Sequence, residues 1–303
     1  MEIGMSTSSH GRLLRRPEVY FTCEQALTAC AQGGFPVINL DFIEYSKPGQ
    51  PMRAVGWEDW CRRQRETADR LGLEVSYAHA PFYAWRPDQP EGDALYEELI
   101  RRSIRGAGIL GVTQMVFHPG SAGDENGYSR RASLERNLRF YRRYGALCAQ
   151  EGILPCIENM MAFSDGQPKY GASVEELLEL YEALGEGFGI CWDFGHAHMA
   201  GIDSCGALRE IGKRLCMLHL NDNFGEHDDH LAPCFGTIDW TPVMQTLREI
   251  GFKGDLVFEN FTFFDGLPES LRVSAMKLCY AVGCYLRGLM EGEGEVFSGA
   301  AVS

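Results

Sequence analysis

FGICWDFGHAH (Phe188–His198) and LCMLHLND (Leu215–Asp222) read alike: each is a short apolar run ending on side chains able to hold a proton or a metal ion. Runs this short and this apolar suit strands of a parallel sheet, which is covered on both faces. Six more such runs precede and follow them: EIGMST from Glu2, PVINLDF from Pro36, LEVSYAH from Leu73, TQMVFH from Thr113, ILPCIE from Ile153 and DLVFEN from Asp255. Segments of helical period lie between them. In one, Leu134, Leu138, Tyr141, Tyr144 and Cys148 recur at steps of three or four, with arginines on the other face. Ser173 before VEELLELYEAL and Asp239 before WTPVMQTLREI are placed to cap helices. Eight strand-then-helix units predict a (β/α)8 TIM barrel. The competing doubly wound sheet lacks its glycine-rich turn after the first strand. One barrel domain over residues 1–290 is expected, and EGEGEVFSGAAVS (residues 291–303), without apolar period, is expected to be a disordered tail.

Composition narrows the function classes. Hydrophobic residues at 45% and charged residues at 23% suit a soluble globular chain. No apolar run reaches the roughly 20 residues of a membrane helix. The first residues lack the basic-then-apolar order of a secretory signal, so a cytoplasmic protein is expected. The 11 cysteines are odd in number, form no CxxC pair, and sit partly inside apolar runs (Cys156, Cys191, Cys216, Cys279). Reduced core thiols are the better reading. A net charge of −14 argues against a polyanion partner, because phosphate contacts dominate such binding. No membrane partner is expected, and a homo-oligomer is left open.

A (β/α)8 barrel forms its active site where its strands end. The third run ends on His79, the fourth on His118 and the fifth on Glu158. The sixth carries Asp193 and His196, the seventh ends on His219 and the eighth on Glu259. Any one of these alone is more readily a hydrogen-bonded structural group. Together they place carboxylates and imidazoles at one end of one barrel, where buried charge must be paired or coordinate a metal. The set Glu158, Asp193, His219 and Glu259 is rich in oxygen and free of thiolate. One divalent ion is expected, Mn²⁺ favoured, with Mg²⁺, Co²⁺ or Zn²⁺ as alternatives, and no organic cofactor. His198 and His227 are read as structural or solvent-facing. Asp228 and His230, in EHDDHL, stay open between substrate binding and a further metal.

These motifs resemble the xylose-isomerase-like TIM-barrel superfamily, most specifically in ICWDFGHAHMAG and in HLNDNFGEHDDHLAPCFGTIDW, and the resemblance runs from His79 to Glu259. The sugar isomerase/epimerase branch implies that Glu158, Asp193, His219 and Glu259 bind the metal, that Glu158 and Glu259 are the acid/base pair, and that His196 touches substrate. Proton transfer through an enediolate on a sugar, keto-sugar or polyol-derived substrate would follow, with a dehydratase or β-eliminating lyase on an oxidised sugar as close variant. The AP endonuclease branch, on the same frame, implies three zinc ions on His79, His118, Glu158, Asp193, His196, His219, Asp228, His230 and Glu259. Departures favour the sugar branch. Asn223-Phe224 stands where the nuclease pattern is basic, and Cys234-Phe235-Gly236 replaces its Gly-x-Gly. Aromatics (Phe82, Tyr83, Trp85, Phe261, Phe263, Phe264) rather than cations populate the loops. The arginines at Arg130, Arg131, Arg136, Arg139, Arg142 and Arg143 are assigned mostly to the solvated face of the fourth helix. With no Lys or Arg between His219 and Asp239 or between Glu259 and Leu271, an unphosphorylated substrate is favoured. Arg86 and Lys169 are the residues that could reverse this.

Overall fold

The computed structural model describes residues 1–10, 12–13, 16–82, 90–124, 127–164 and 166–292. All eight expected strands are present: β1 Ile3–Ser6, β2 Val37–Asp41, β3 Glu74–His79, β4 Gln114–Phe117, β5 Leu154–Glu158, β6 Gly189–Asp193, β7 Leu215–His219 and β8 Leu256–Phe258. β1 to β7 pair in parallel, each with its sequence neighbour, and β8 pairs in parallel with β1. The seam between β7 and β8 closes one residue beyond β7. There the Leu220 amide donates to Val257 O (2.8 Å) and the Glu259 amide to Leu220 O (3.0 Å). The sheet is therefore a TIM barrel.

Its interior explains where the chemistry lies. Val37, Tyr77, Val116, Cys156, Cys191, Met217 and Val257, one from each of β2 to β8, form a single buried apolar cluster. Gly4 occupies the β1 position, where a Cβ would stand 3.3 Å from both Val37 and Val257 side chains. Side chains of a strand alternate with period two. The next inward layer is therefore Asn39, His79, His118, Glu158, Asp193, His219 and Glu259, each two residues further on. Apolar packing in one layer thus orients the ionisable layer above it.

The outer helices are α1 Cys23–Gly33, α2 Trp57–Leu71, α3 Pro90–Leu110, α4 Arg130–Gln150, α5 Val174–Leu184, α6 Ser204–Ile211, α7 Trp240–Glu249 and α8 Glu269–Glu291. Ser173 caps α5 by accepting from the Glu176 amide, and Asp239 caps α7 by accepting from the Thr241 amide, as their positions predict. On α4, Tyr141, Tyr144 and Cys148 are buried, and Tyr141 donates its hydroxyl to Phe117 O at the end of β4 (2.7 Å). Arg130 and Arg143 pair outward with Glu175, Glu179 and Glu97. Arg136 departs from that face and lines the cavity at the barrel mouth. Helix α8 runs through Glu291, into the first residue of the expected tail, and residues 293–303 lie outside the described residues. Among the described residues no cysteine is in a disulfide. No described helix is long and apolar enough to cross a membrane.

Candidate active site

Strand ends bring the ionisable residues to one place. Ligand-capable atoms of Glu158, Asp193, His219 and Glu259 lie within 4.8 Å of one another, and the same holds for His79, His118 and Glu158 and for His196, Asp228 and His230. All nine residues singled out in the sequence therefore fall into three adjoining groups, two of them sharing Glu158. His219 Nδ1 is 2.7 Å from Glu158 Oε1 and 3.1 Å from Glu259 Oε2. On the other side of Glu158, Oε2 is 2.8 Å from His118 Nε2 and 3.2 Å from His79 Nε2, with the two imidazoles 3.1 Å apart. Atoms that ligate one tetrahedral ion at about 2.0–2.1 Å lie about 3.3 Å from each other. These edges, 2.7–3.2 Å, run from that length to about half an ångström below it.

Hydrogen bonds set the imidazoles. A carbonyl oxygen only accepts, so a ring nitrogen beside one carries the proton. His79 Nδ1 donates to Ala80 O (2.8 Å), His196 Nδ1 to Asn159 O (2.9 Å) and His230 Nδ1 to Glu259 O (2.7 Å). Each bond leaves Nε2 directed at its group, the arrangement by which an outer partner orients a metal-binding histidine. His230 is held with φ 43°, in the left-handed region that side chains seldom occupy. Asp228 Oδ1 and His219 Nε2 are buried with no hydrogen-bond partner. A buried carboxylate oxygen without a donor, at Asp228, and two carboxylates crowded on His219 Nδ1 fit a resident cation.

Charge tells the same story. Burial works against charge on His79, yet the hydrogen bond and charge of Glu158 prevail and raise its pKa to about 9. Burial likewise opposes charge on His230, and Asp228 raises it to about 9. Burial would lift Glu158, but His219 and His118 hold it well below the ordinary carboxylate range. Burial, then the charge of Glu158, keeps the nearby Cys191 thiol protonated, so it is no thiolate ligand. A metal ion must displace the protons on His79 and His230 wherever these histidines ligate it. In the group Glu158, Asp193, His219 and Glu259, burial opposes charge on His219 but the charges of Glu259 and Glu158 raise its pKa, so an ion bound there displaces the Nδ1 proton. Divalent-metal affinity is therefore expected to rise with pH above neutrality, with proton release on loading. Titration of metal-free protein with MnCl₂ or ZnCl₂ in weakly buffered indicator dye measures both. An affinity flat between pH 6.5 and 9 would contradict it.

Sequence reading missed the supporting asparagines. Asn159 clamps Asp193 on both sides: its Oδ1 accepts from the Asp193 amide (2.7 Å) and its Nδ2 donates to Asp193 O (2.9 Å). Asn221 Nδ2 donates to Asp193 Oδ2 (2.7 Å). A Cβ on Gly195 would stand 1.8 Å from Asn221 Oδ1, so only glycine leaves room for that bond. The repeated Glu-Asn in IEN and FEN was the available signal. Among the loop aromatics, Phe82 and Phe261 line the cavity, and Phe261 stacks on His230 with ring centroids 4.1 Å apart. Phe264 is buried core instead, while Tyr83, Trp85 and Arg86 lie outside the described residues. His198 is half-buried and bonded to Thr237, and His227 is exposed.

The groups lie beneath a cavity of about 680 Å³, within the size of small-molecule sites. Residues 27–282 match the model of the xylose isomerase-like TIM barrel. The chain belongs to that family. It is 30% identical to uncharacterized protein MJ1311 of Methanocaldococcus jannaschii over 67% of this chain and 70% of that one. It is 27% identical to the probable endonuclease 4 of Geobacillus sp. over 50% of this chain and 53% of that one. A structure described as a D-tagatose 3-epimerase-like protein superposes with TM-score 0.70 at 24% identity, covering 97% of this chain and 100% of that one. Within the family frame, then, sequence likeness reaches toward nuclease relatives, and the shared backbone includes epimerase folds.

Proposed function

We propose that this family member is a divalent-metal-dependent isomerase or epimerase acting on a keto-sugar or a polyol-derived substrate. The observation that carries the reading is the convergence of Glu158, Asp193, His219 and Glu259 under a cavity sized for a sugar. These four residues would hold one ion, Mn²⁺ favoured, which when bound supplies Lewis-acid polarisation of a substrate carbonyl. Glu259 lines the cavity and is placed to take the proton from the carbon beside that carbonyl. Glu158, whose Oε1 faces the same His219 Nδ1 as Glu259, is the partner that returns it. Return to the opposite face of the same carbon gives epimerisation, and return to the neighbouring carbon gives isomerisation. Departure of a β-substituent instead would make the enzyme a dehydratase or lyase on an oxidised sugar. His196 and the Phe82 and Phe261 rings bound the space where the sugar lies.

A second reading, zinc-dependent phosphodiester hydrolysis on abasic DNA, draws on the two flanking groups His79–His118–Glu158 and His196–Asp228–His230. The cavity lining weighs against it. Asp41, Glu44, Asp228, Glu259 and Asp265 face Lys47, Arg136 and Lys169, so the mouth is acidic where a duplex needs cations. Elemental analysis separates the two: one tightly held ion per chain is expected, and three zincs would favour hydrolysis. Manganese-loaded protein is also expected to exchange solvent deuterium into a 2-ketohexose, read by mass spectrometry. Cleavage of an abasic duplex with no such exchange would overturn the proposal.

A further inference from the structure

We propose that the groove between α1 and the first turn of α8 is a second ligand site, one that receives a small carboxylate on Arg272. The groove has a volume of about 310 Å³ and shares no lining residue with the catalytic cavity, so it stands apart from the reaction proposed there. Arg272 is only 1% exposed, among the largest fully buried side chains described. A guanidinium carries five N–H donors and no acceptor. Here Nη2 donates to Phe264 O (3.2 Å), whereas Nε and Nη1 have no hydrogen-bond partner. The Phe21 ring covers its face, with the centroid 4.8 Å from Cζ. That contact eases the charge without supplying an acceptor. Burial lowers the pKa of Arg272, against Asp265 and Glu269, which act on it only through space. Buried charges are normally paired, and buried donors normally bonded. This cation is neither in full.

His10, on the same groove, repeats the pattern. It is 6% exposed, its Nδ1 also lacks a partner, and its ring centroid lies 4.3 Å from that of Phe21. Burial, then the charge of Arg272, lowers its pKa to about 4, so it is neutral near neutral pH and adds no second cation. Among the described lining residues Arg272 is thus the one positive charge, and Glu24 and Glu269 are the negative ones. Glu24 accepts from Gln64 Nε2 (2.7 Å), and Glu269 is exposed to water. A ligand with a single negative charge matches one guanidinium set between two acids. A phosphate dianion meets repulsion from both. A carboxylate also offers the planar pair of oxygens that suits a guanidinium. Phe21, Ala29 and Val273 give the body of such a ligand an apolar wall. An ordered water would satisfy N–H groups and leave the charge unmatched.

The test titrates metal-free full-length protein with sodium acetate, because an ion in the catalytic cavity would itself take carboxylates. Sodium chloride at equal ionic strength and sodium phosphate are the comparisons. Two signals are followed: the ¹H–¹⁵N resonance of Arg272 Nε, assigned by its loss in Arg272→Lys, and the line width of ¹³C-labelled acetate. A saturable shift of the Nε resonance is expected with acetate and none with chloride, and phosphate is expected to bind at least about tenfold more weakly. Arg272→Met is expected to weaken acetate binding at least about tenfold, and Arg272→Lys to keep part of it. Should Arg272→Met fail to fold, the wild-type Nε resonance decides alone. A resonance that acetate moves no more than chloride does overturns the site and assigns its unpaired groups to ordered water. Phosphate binding more tightly than acetate overturns the choice of a carboxylate.

Discussion

Glu158→Gln is expected to lower divalent-metal affinity at least about a hundredfold and deuterium exchange about a thousandfold. Its two oxygens face different neighbours, His219 Nδ1 at 2.7 Å on one side and His118 Nε2 at 2.8 Å on the other, and it is completely buried. An amide keeps the size and one acceptor but replaces the other oxygen with an N–H₂ and removes the charge. One of the two facing groups then loses its anionic donor. Asp228→Asn is the informative contrast, because Asp228 belongs only to the group with His196 and His230. With one resident ion, Asp228→Asn leaves metal content at one per chain, while Glu158→Gln empties the site. With three, Asp228→Asn lowers the count by one. Metal retained at wild-type affinity in Glu158→Gln would remove Glu158 from the ligand set.

The positions of these groups were legible because they depend on two short-range rules. Apolar runs gave the strands and their ends gave the ligand candidates; in the structure, period two sets those on the strands two residues past an interior core residue, as with Cys156 and Glu158 or Met217 and His219. Helix caps at Ser173 and Asp239 were local for the same reason. What depends on contacts far apart in sequence was not legible. Arg136 sits on a helix face shared with outward arginines, and its length, together with the missing Cβ of Gly120, carries it to the mouth. Asn159 and Asn221 meet at Asp193 only because adjacent strands place them there. The barrel seam, too, closes at Leu220, beyond the last ladder residue of β7, where register and not composition decides.

Asp222→Ala should be the most destabilising single change near the site, although Asp222 faces no ligand group. It is fully buried, and its carboxylate accepts four N–H bonds: from the Asn223 amide (2.9 Å), the Ile238 amide (3.1 Å), the Cys234 amide (3.0 Å) and Trp240 Nε1 (3.0 Å). It thereby ties both ends of the loop that carries Asp228 and His230 to the first turn of α7. Four donors around one carboxylate compensate its burial, and truncation strands all four in a space too tight to ignore them. A loss of about 3–5 kcal/mol follows from breaking such a buried charged network. At this chain length that corresponds to a melting temperature lower by about 5–8 °C. Asp222→Asn should fall between, because its amide nitrogen turns one acceptor into a donor facing N–H groups. Thermal melts of the metal-free proteins measure the stability term without any contribution from a bound ion. Metal titration of the same variants then shows whether the loop group at His196, Asp228 and His230 is lost before the one at Glu158, Asp193, His219 and Glu259. A melting temperature for Asp222→Ala within about 2 °C of wild type would mean that water replaces the carboxylate, and that the loop is held by its backbone bonds alone.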